Sequence, residues 1–102
     1  MNGLRGVIQL VSLALTPLLV MASDLEQEQV EHLQARGVLL NTAELAAQVQ
    51  LLHPQAQLLE VAWEQAYGRY IYQVDLTDQQ GRRWDVELDA STGEILSNYQ
   101  DD

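Results

Sequence analysis

The chain contains neither cysteine nor lysine, and each absence excludes some chemistry. Without cysteine there is no lipid attachment of the lipoprotein kind, no thiolate metal site and no thiol redox chemistry. Without lysine there is no side-chain amine nucleophile. Small exported domains often rely on disulfides because their cores are marginal. This chain must therefore be held together by packing or by a partner.

Positive charge is also scarce. The 102 residues include 15 acidic residues and only five arginines, which gives a formal charge of −10. All the acidic residues and four of the arginines follow residue 22, so the segment from Ser23 onward carries −11. Such a charge opposes binding to nucleic acid and to anionic lipid, and it attracts basic partners or divalent cations.

The first 22 residues have the order of a secretory signal peptide. Arg5 precedes an uncharged apolar run over residues 7–20, and Ala22 is a small residue at the expected cleavage position. We predict cleavage after Ala22, a periplasmic or secreted protein, and no stable membrane insertion afterwards. The alternative is an uncleaved anchor. The apolar run is shorter than the ~20 residues that a spanning helix needs, and Pro17 interrupts it.

Two helices are predicted after this segment. A polar helix over residues 24–36 ends before Gly37 and has few apolar positions, so we expect it to bury little surface. The second helix, over 41–53, begins with the N-cap candidate Asn41 and is ended by Pro54.

From residue 57 onward hydrophobic residues recur at every second position, a pattern typical of strands with one buried face. Leu59 and Val61 begin the first strand of this pattern. Three such segments and a short fourth predict an antiparallel meander. Its predicted buried face carries Trp63, Tyr70, Tyr72, Val74, Trp84, Val86 and Leu88. The predicted turn residues are Gly68, Gly81, Asp89, Thr92 and Gly93.

These elements predict an α+β fold in two layers. One main helix packs on an antiparallel sheet of three or four strands, and a short polar helix precedes it. The domain would span residues 39–98, after a polar helix and linker over 23–38. Residues 99–102 would form a flexible acidic tail.

The same segments resemble the PepSY domain. The resemblance lies in the aromatic strand YIYQVDL over residues 70–76, the turn DQQGR over 78–82, and the segment WDVELDASTGEIL over 84–96. It covers roughly residues 39–97 and extends to small exported stand-alone PepSY proteins of proteobacteria. PepSY domains are found in propeptides of secreted metallopeptidases and in membrane-bound regulatory proteins. The resemblance therefore implies a non-catalytic, protease inhibitor-like module, with no catalytic residues and no defined ligand to carry over.

The alternation along the strands also predicts an acidic face opposite the core. It would carry Asp75, Asp85, Glu87 and Asp89, with Glu60 and Glu64 nearby. Three interpretations are open: a solvated face that prevents edge association, a surface for a basic partner, or a divalent-cation site. The candidate partner-binding residues are Tyr67, Asp75, Asp85, Glu87, Asp89 and Tyr99.

We expect no enzyme activity, no cofactor and no metal site. His32 and His53 are the only histidines, and they lack a metal-binding spacing. The sequence and the resemblance together predict a regulatory module that docks on an envelope protein, either a peptidase or a sensor kinase. The alternative is a periplasmic protein that binds or senses divalent cations on the acidic face. A homodimer is a further alternative.

Overall fold

The computed structural model describes residues 22–101, with only the backbone of Ala22. The predicted signal peptide over 1–22 therefore lies almost wholly outside the described residues, as does Asp102. Within residues 22–101, neither helix has the length and apolar character needed to cross a bilayer.

The described residues form two helices and one five-stranded antiparallel sheet. The elements are β1 (Ala22–Asp24), α1 (Gln27–Ala35), α2 (Thr42–Leu52), β2 (Gln57–Ala66), β3 (Arg69–Thr77), β4 (Arg83–Asp89) and β5 (Ile95–Asp101). The strands lie side by side in the order β1-β2-β3-β4-β5. The α+β class is confirmed, but the sheet has one strand more than the largest number predicted.

Helix α2 begins as the sequence predicted. The Asn41 side chain accepts a hydrogen bond of 2.9 Å from the backbone N–H of Glu44, which satisfies a donor at the helix start. Leu45 and Val49 are buried on the side facing the sheet. The helix ends at Leu52, just before His53 and Pro54.

The N-terminal segment differs from the prediction. Ser23 and Asp24 belong to β1 rather than to the polar helix, and they pair with Gln65 and Glu64 of β2. The backbone N–H of Leu25 then donates to the Trp63 carbonyl at 2.8 Å. A strand this short is held by backbone hydrogen bonds and leaves no hydrophobic period in the sequence.

Helix α1 contributes to the core more than its composition indicated. Val30 is fully buried and belongs to the main hydrophobic cluster, while Leu25 and Leu33 pack against that cluster. The sheet is therefore covered by two helices, where the sequence predicted a single main one.

The core lies between these helices and one face of the sheet. Its centre is made by side chains from β3 and β4 that are at most 2% exposed: Tyr72, Val74, Leu76, Val86 and Leu88. Trp63, Tyr70 and Trp84 are partly buried around it. The predicted aromatic face is thus the buried face, because side chains two residues apart along a strand project to the same side.

Two local predictions for the strands are wrong. The register between β2 and β3 shifts between Leu58 and Glu60, so Leu58, not Leu59, lies opposite the buried Leu76. The predicted flexible tail instead continues β5 as far as Asp101, which lies opposite Arg83. Backbone pairing with β4 orders this segment although its one large hydrophobic side chain, Tyr99, is 55% exposed.

Helix α2 offers a matched test of the core. Leu45 is fully buried, whereas Leu51 on the same helix is 76% exposed. We expect Leu45→Ala to lower the free energy of unfolding by about 2–5 kcal/mol, and Leu51→Ala to change it by less than about 0.5 kcal/mol. Urea denaturation measures both. Equal effects of the two substitutions would contradict this packing.

Candidate functional site

The sheet face turned away from the helices carries a concentration of carboxylates. We call it the acidic face and define it by Glu60, Glu64, Asp75, Asp85 and Glu87, which come from β2, β3 and β4. These residues alternate with the core residues of the same strands, so the fold itself places them together. The predicted acidic surface is present as a geometric feature except at Asp89, whose carboxylate is bound within the turn after β4.

Several of these carboxylates lie directly opposite one another. Glu60 pairs with Asp75 across β2 and β3, and Asp75 pairs with Asp85 across β3 and β4. At the edge, Asp24 of β1 lies opposite Glu64. Like charges in directly opposite positions destabilise a sheet. The carboxylates of the acidic face therefore lower the stability of the sheet.

Only part of this charge is compensated by neighbouring groups. Arg83 approaches Asp75 with an Nη2–Oδ2 distance of 3.7 Å. Asp85 accepts from Gln73 Nε2 at 3.5 Å and from the Tyr99 hydroxyl at 3.4 Å. The other two ion pairs among residues 22–101, Arg69–Asp89 and Arg82–Asp78, involve no carboxylate of the acidic face.

The remaining negative charge helps to raise the pKa values of Glu87 and Tyr99 on this face. Burial raises the pKa of Glu87 above its ordinary value, and the charges of Asp85 and Glu64 raise it further. The charge of Asp85 is the main cause of a raised pKa at Tyr99. The negative potential thus extends from β2 to β5.

The depression that residues 22–101 form on the acidic face is shallow. Between Glu60, Ala62, Gln73 and Asp75 there is a depression of about 40 Å³, which has room for only a few water molecules. Among residues 22–101, no three histidine or carboxylate side chains converge on a point where they could hold a metal ion. The face can therefore act as a docking surface for a larger partner.

The two candidate tyrosines lie in different places. Tyr99 is on β5 and joins the acidic face through its hydrogen bond to Asp85. Tyr67 is exposed at the turn between β2 and β3. Tyr67 and Gly68 both have positive φ angles, 53° and 77°, as expected for a two-residue hairpin turn. The structure does not bring Tyr67 onto the acidic face.

Asp89 has a structural role in the turn between β4 and β5. It is only 9% exposed, and its Oδ1 accepts from the backbone N–H groups of Ser91 and Thr92 at 2.8 and 3.1 Å. Its Oδ2 lies 3.5 Å from Arg69 Nη1. Gly93 completes the turn with a φ angle of 84°. Since these groups occupy the Asp89 carboxylate, little of it is left for a partner.

A second polar cluster, around Asp78, was not found from the sequence. Asp78 Oδ2 accepts from Trp84 Nε1 at 2.9 Å and from Arg82 Nε at 3.1 Å. Its Oδ1 accepts from the backbone N–H groups of Gln80 and Arg82, both at 2.9 Å. Burial opposes ionisation of Asp78, but these hydrogen bonds and the Arg82 charge prevail and lower its pKa from 3.8 to about 2.

His53 lies beside this cluster. Its ring lies against Trp84 with centroids 4.6 Å apart and the ring planes tilted by 46°. Its Nε2 is 2.8 Å from Asn98 Oδ1. The two contacts join the end of α2 to β4 and β5. The signal in the sequence was an aspartate four residues before an arginine and six before a tryptophan. Turn composition alone does not reveal that these side chains meet.

The acidic face leads to a test by pH. Glu87 has a raised pKa in the folded state, so its ionisation costs stability above its unfolded pKa, and this cost disappears in acid, where both states are protonated. We expect Glu87→Gln to raise the free energy of unfolding at pH 7 by about 0.2–1 kcal/mol. At about pH 3.5 the substitution should have little effect. Denaturation at the two pH values measures this, and a loss of stability at pH 7 would contradict it.

Comparison with known proteins gives one result. The family model described as PepSY, the peptidase propeptide and YPEB domain, matches residues 40–99. Neither the curated proteins nor the solved structures gave a match. PepSY domains are generally non-catalytic, propeptide-like or inhibitor-like modules, and they are usually extracellular or periplasmic. The matched segment contains α2 and strands β2 to β4 in full, and it makes up more than half of the chain. The resemblance found in the sequence is thus confirmed: the chain belongs to the PepSY family.

Proposed function

We propose that this protein is an exported, non-catalytic module that regulates an envelope protein, either a peptidase or a sensor kinase, by docking on it. The observation that carries the proposal is the acidic face, a sheet surface that the helices leave uncovered and that keeps like charges opposite one another. Family membership supports a regulatory role. The charge pattern supports a basic surface on the partner.

The geometry of the acidic face favours docking over chemistry. The face is open, and the depression near Glu60 and Asp75 has a volume of about 40 Å³. Catalysis requires groups that converge around a reacting atom in a site from which water can be excluded. A flat charged surface instead increases the rate at which an oppositely charged protein associates. No observation on residues 22–101 favours the cation-binding alternative.

Photo-crosslinking in the producing cell tests the proposal. A benzophenone amino acid replaces Tyr99, beside the acidic face, and in a matched control it replaces the exposed Leu51 of α2. We expect irradiation to give a covalent adduct with one envelope protein from position 99 and none from position 51. Mass spectrometry identifies the adduct.

A functional measurement accompanies the crosslink. The activity of the crosslinked peptidase, or the phosphorylation of the crosslinked sensor, should change when this protein is deleted and return when it is restored. Asp85→Lys should fail to restore it, because that substitution reverses a charge at the centre of the acidic face. The proposal is wrong if position 99 gives no adduct, or if deletion leaves the adduct partner unaffected.

A further inference from the structure

One edge of the sheet is only partly paired. β1 lies beside β2 at Glu64, Gln65 and Ala66, and the Leu25 N–H reaches the Trp63 carbonyl. From Gln57 to Ala62, no strand among residues 22–101 lies on that side of β2. These residues form an open edge about 20 Å long. We call residues 57–62 the β2 edge.

The backbone of the β2 edge is oriented to accept another strand. In an antiparallel sheet, residues two apart direct their N–H and C=O groups to the same side. The Trp63 carbonyl faces β1, since it accepts from Leu25. The N–H and C=O groups of Val61 therefore face the open edge. A new strand would lie beside β2 at residues 57–62, in line with β1.

The helix side of the β2 edge is apolar and incompletely covered. Leu58 and Val61 lie opposite the fully buried Leu76 and Val74, yet they are 46% and 41% exposed. A groove of about 240 Å³ beside Leu58 is lined by Ala46, Val49, Gln50, His53 and Ala56. A strand added at this edge would place alternate side chains over the groove, where apolar side chains would be stabilised by burial.

The other side of the β2 edge is negatively charged. Glu60 lies there opposite Asp75, and Glu64 lies opposite Asp24. None of the three ion pairs among residues 22–101 includes Glu60 or Glu64. The second set of alternate side chains of an added strand would therefore meet uncompensated carboxylates, which favour lysine or arginine.

Two other arrangements fit less well. A second copy of this chain would bring two acidic faces side by side, with a formal charge of −10 on each chain. On the opposite sheet edge, β5, the helix side carries the polar residues Asn98 and Gln100 opposite Val86 and Trp84, so that stretch has no comparable apolar side. A strand with basic and apolar residues in alternation matches both sides of the β2 edge.

We propose that the β2 edge binds an extended segment of a partner protein as a sixth strand, with apolar and basic side chains alternating along it. The proposal rests on the proposed docking function and specifies the contact: backbone hydrogen bonds at Val61, an apolar side over the groove, and a basic side against Glu60. Main-chain pairing supplies affinity in this kind of recognition, and the alternate side chains supply specificity.

The probe is a synthetic peptide of about eight residues in which valine and lysine alternate, with both termini blocked. It is titrated into the isotope-labelled protein and followed by nuclear magnetic resonance. We expect saturable shifts of the amide signals of residues 57–62 and slower hydrogen exchange at the Val61 N–H. A peptide of the same composition with the valines and lysines in two blocks should bind at least about tenfold more weakly.

Backbone methylation of the peptide tests strand addition directly. In the antiparallel arrangement that β1 adopts, the N–H groups of the valines would face β2 and those of the lysines would face away. N-methylation of the valines should abolish binding, and N-methylation of the lysines should preserve it. Binding that is unaffected by either modification would overturn the proposal, as would shifts confined to Asp85 and Glu87.

A charge reversal with a matched control completes the test. Glu60→Lys should weaken peptide binding by about tenfold, whereas Glu94→Lys, in the β4–β5 turn outside the β2 edge, should change it by less than about twofold. If the two substitutions weakened peptide binding equally, the binding would depend only on the net charge of the protein. That result would contradict a local contact at Glu60. The proposal would also be contradicted if the protein formed dimers when the negative charge at Glu60 is removed and did not bind the peptide.

The outcomes separate this proposal from the docking function. If the peptide binds at the β2 edge but no envelope protein is crosslinked or regulated, the docking function fails and the strand site stands. If an envelope protein is crosslinked at position 99 but the peptide leaves Val61 unaffected, the docking function stands and the strand site fails.

Discussion

Burial of one face of the β3–β4 pair is the constraint on which the rest of the structure depends. Tyr72, Val74, Val86 and Leu88 are in contact across these two strands and are almost fully buried beneath the helices. Successive side chains along a strand point to opposite faces of the sheet. When these four side chains are buried, their neighbours along the strands must therefore lie on the opposite face. The acidic face thus consists of the residues that alternate with the core residues along the same strands. A slip of one residue in register would exchange the two faces, which strongly favours the observed pairing.

This coupling explains how the protein keeps an electrostatically unfavourable surface. Asp75 lies between Glu60 and Asp85, and Arg83 offsets only part of the repulsion. The cost is small beside the burial of twelve hydrophobic residues among residues 22–101, because each buried valine, leucine or isoleucine contributes roughly 1.5–3 kcal/mol. The Asp78 cluster holds the β3–β4 turn against β4, and the His53–Trp84 contact joins the end of α2 to β4, both without using residues of the acidic face. Substitutions at these two contacts can therefore change stability without altering the acidic face.

The sequence predicted the elements whose side chains carry a strong local signal. The cap at Asn41, the stop at Pro54 and the period of two after residue 57 each have a direct physical cause, and the fold class follows from them. It did not predict β1, the bulge near Leu59 or the extension of β5, since backbone pairing determines these features and side-chain periodicity does not record it. The acidic face could be predicted because it is the remainder of the core pattern. The commitment of Asp89 to its turn and the meeting of Asp78 with Trp84 needed the three-dimensional arrangement.

The separation of the two sheet faces can be measured directly with a neutral, soluble paramagnetic reagent, which broadens the resonances of atoms near solvent. The account predicts that the methyl signals of Val74 and Val86 remain sharp while the side-chain signals of Asp85, Glu87 and Tyr99 broaden. Asp85 and Glu87 flank the buried Val86 on β4, and Tyr99 lies opposite Asp85 on the acidic side. Equal broadening on both faces, or broadening of the valine methyls alone, would contradict a sheet with one face sealed by helices and an acidic face open to a partner.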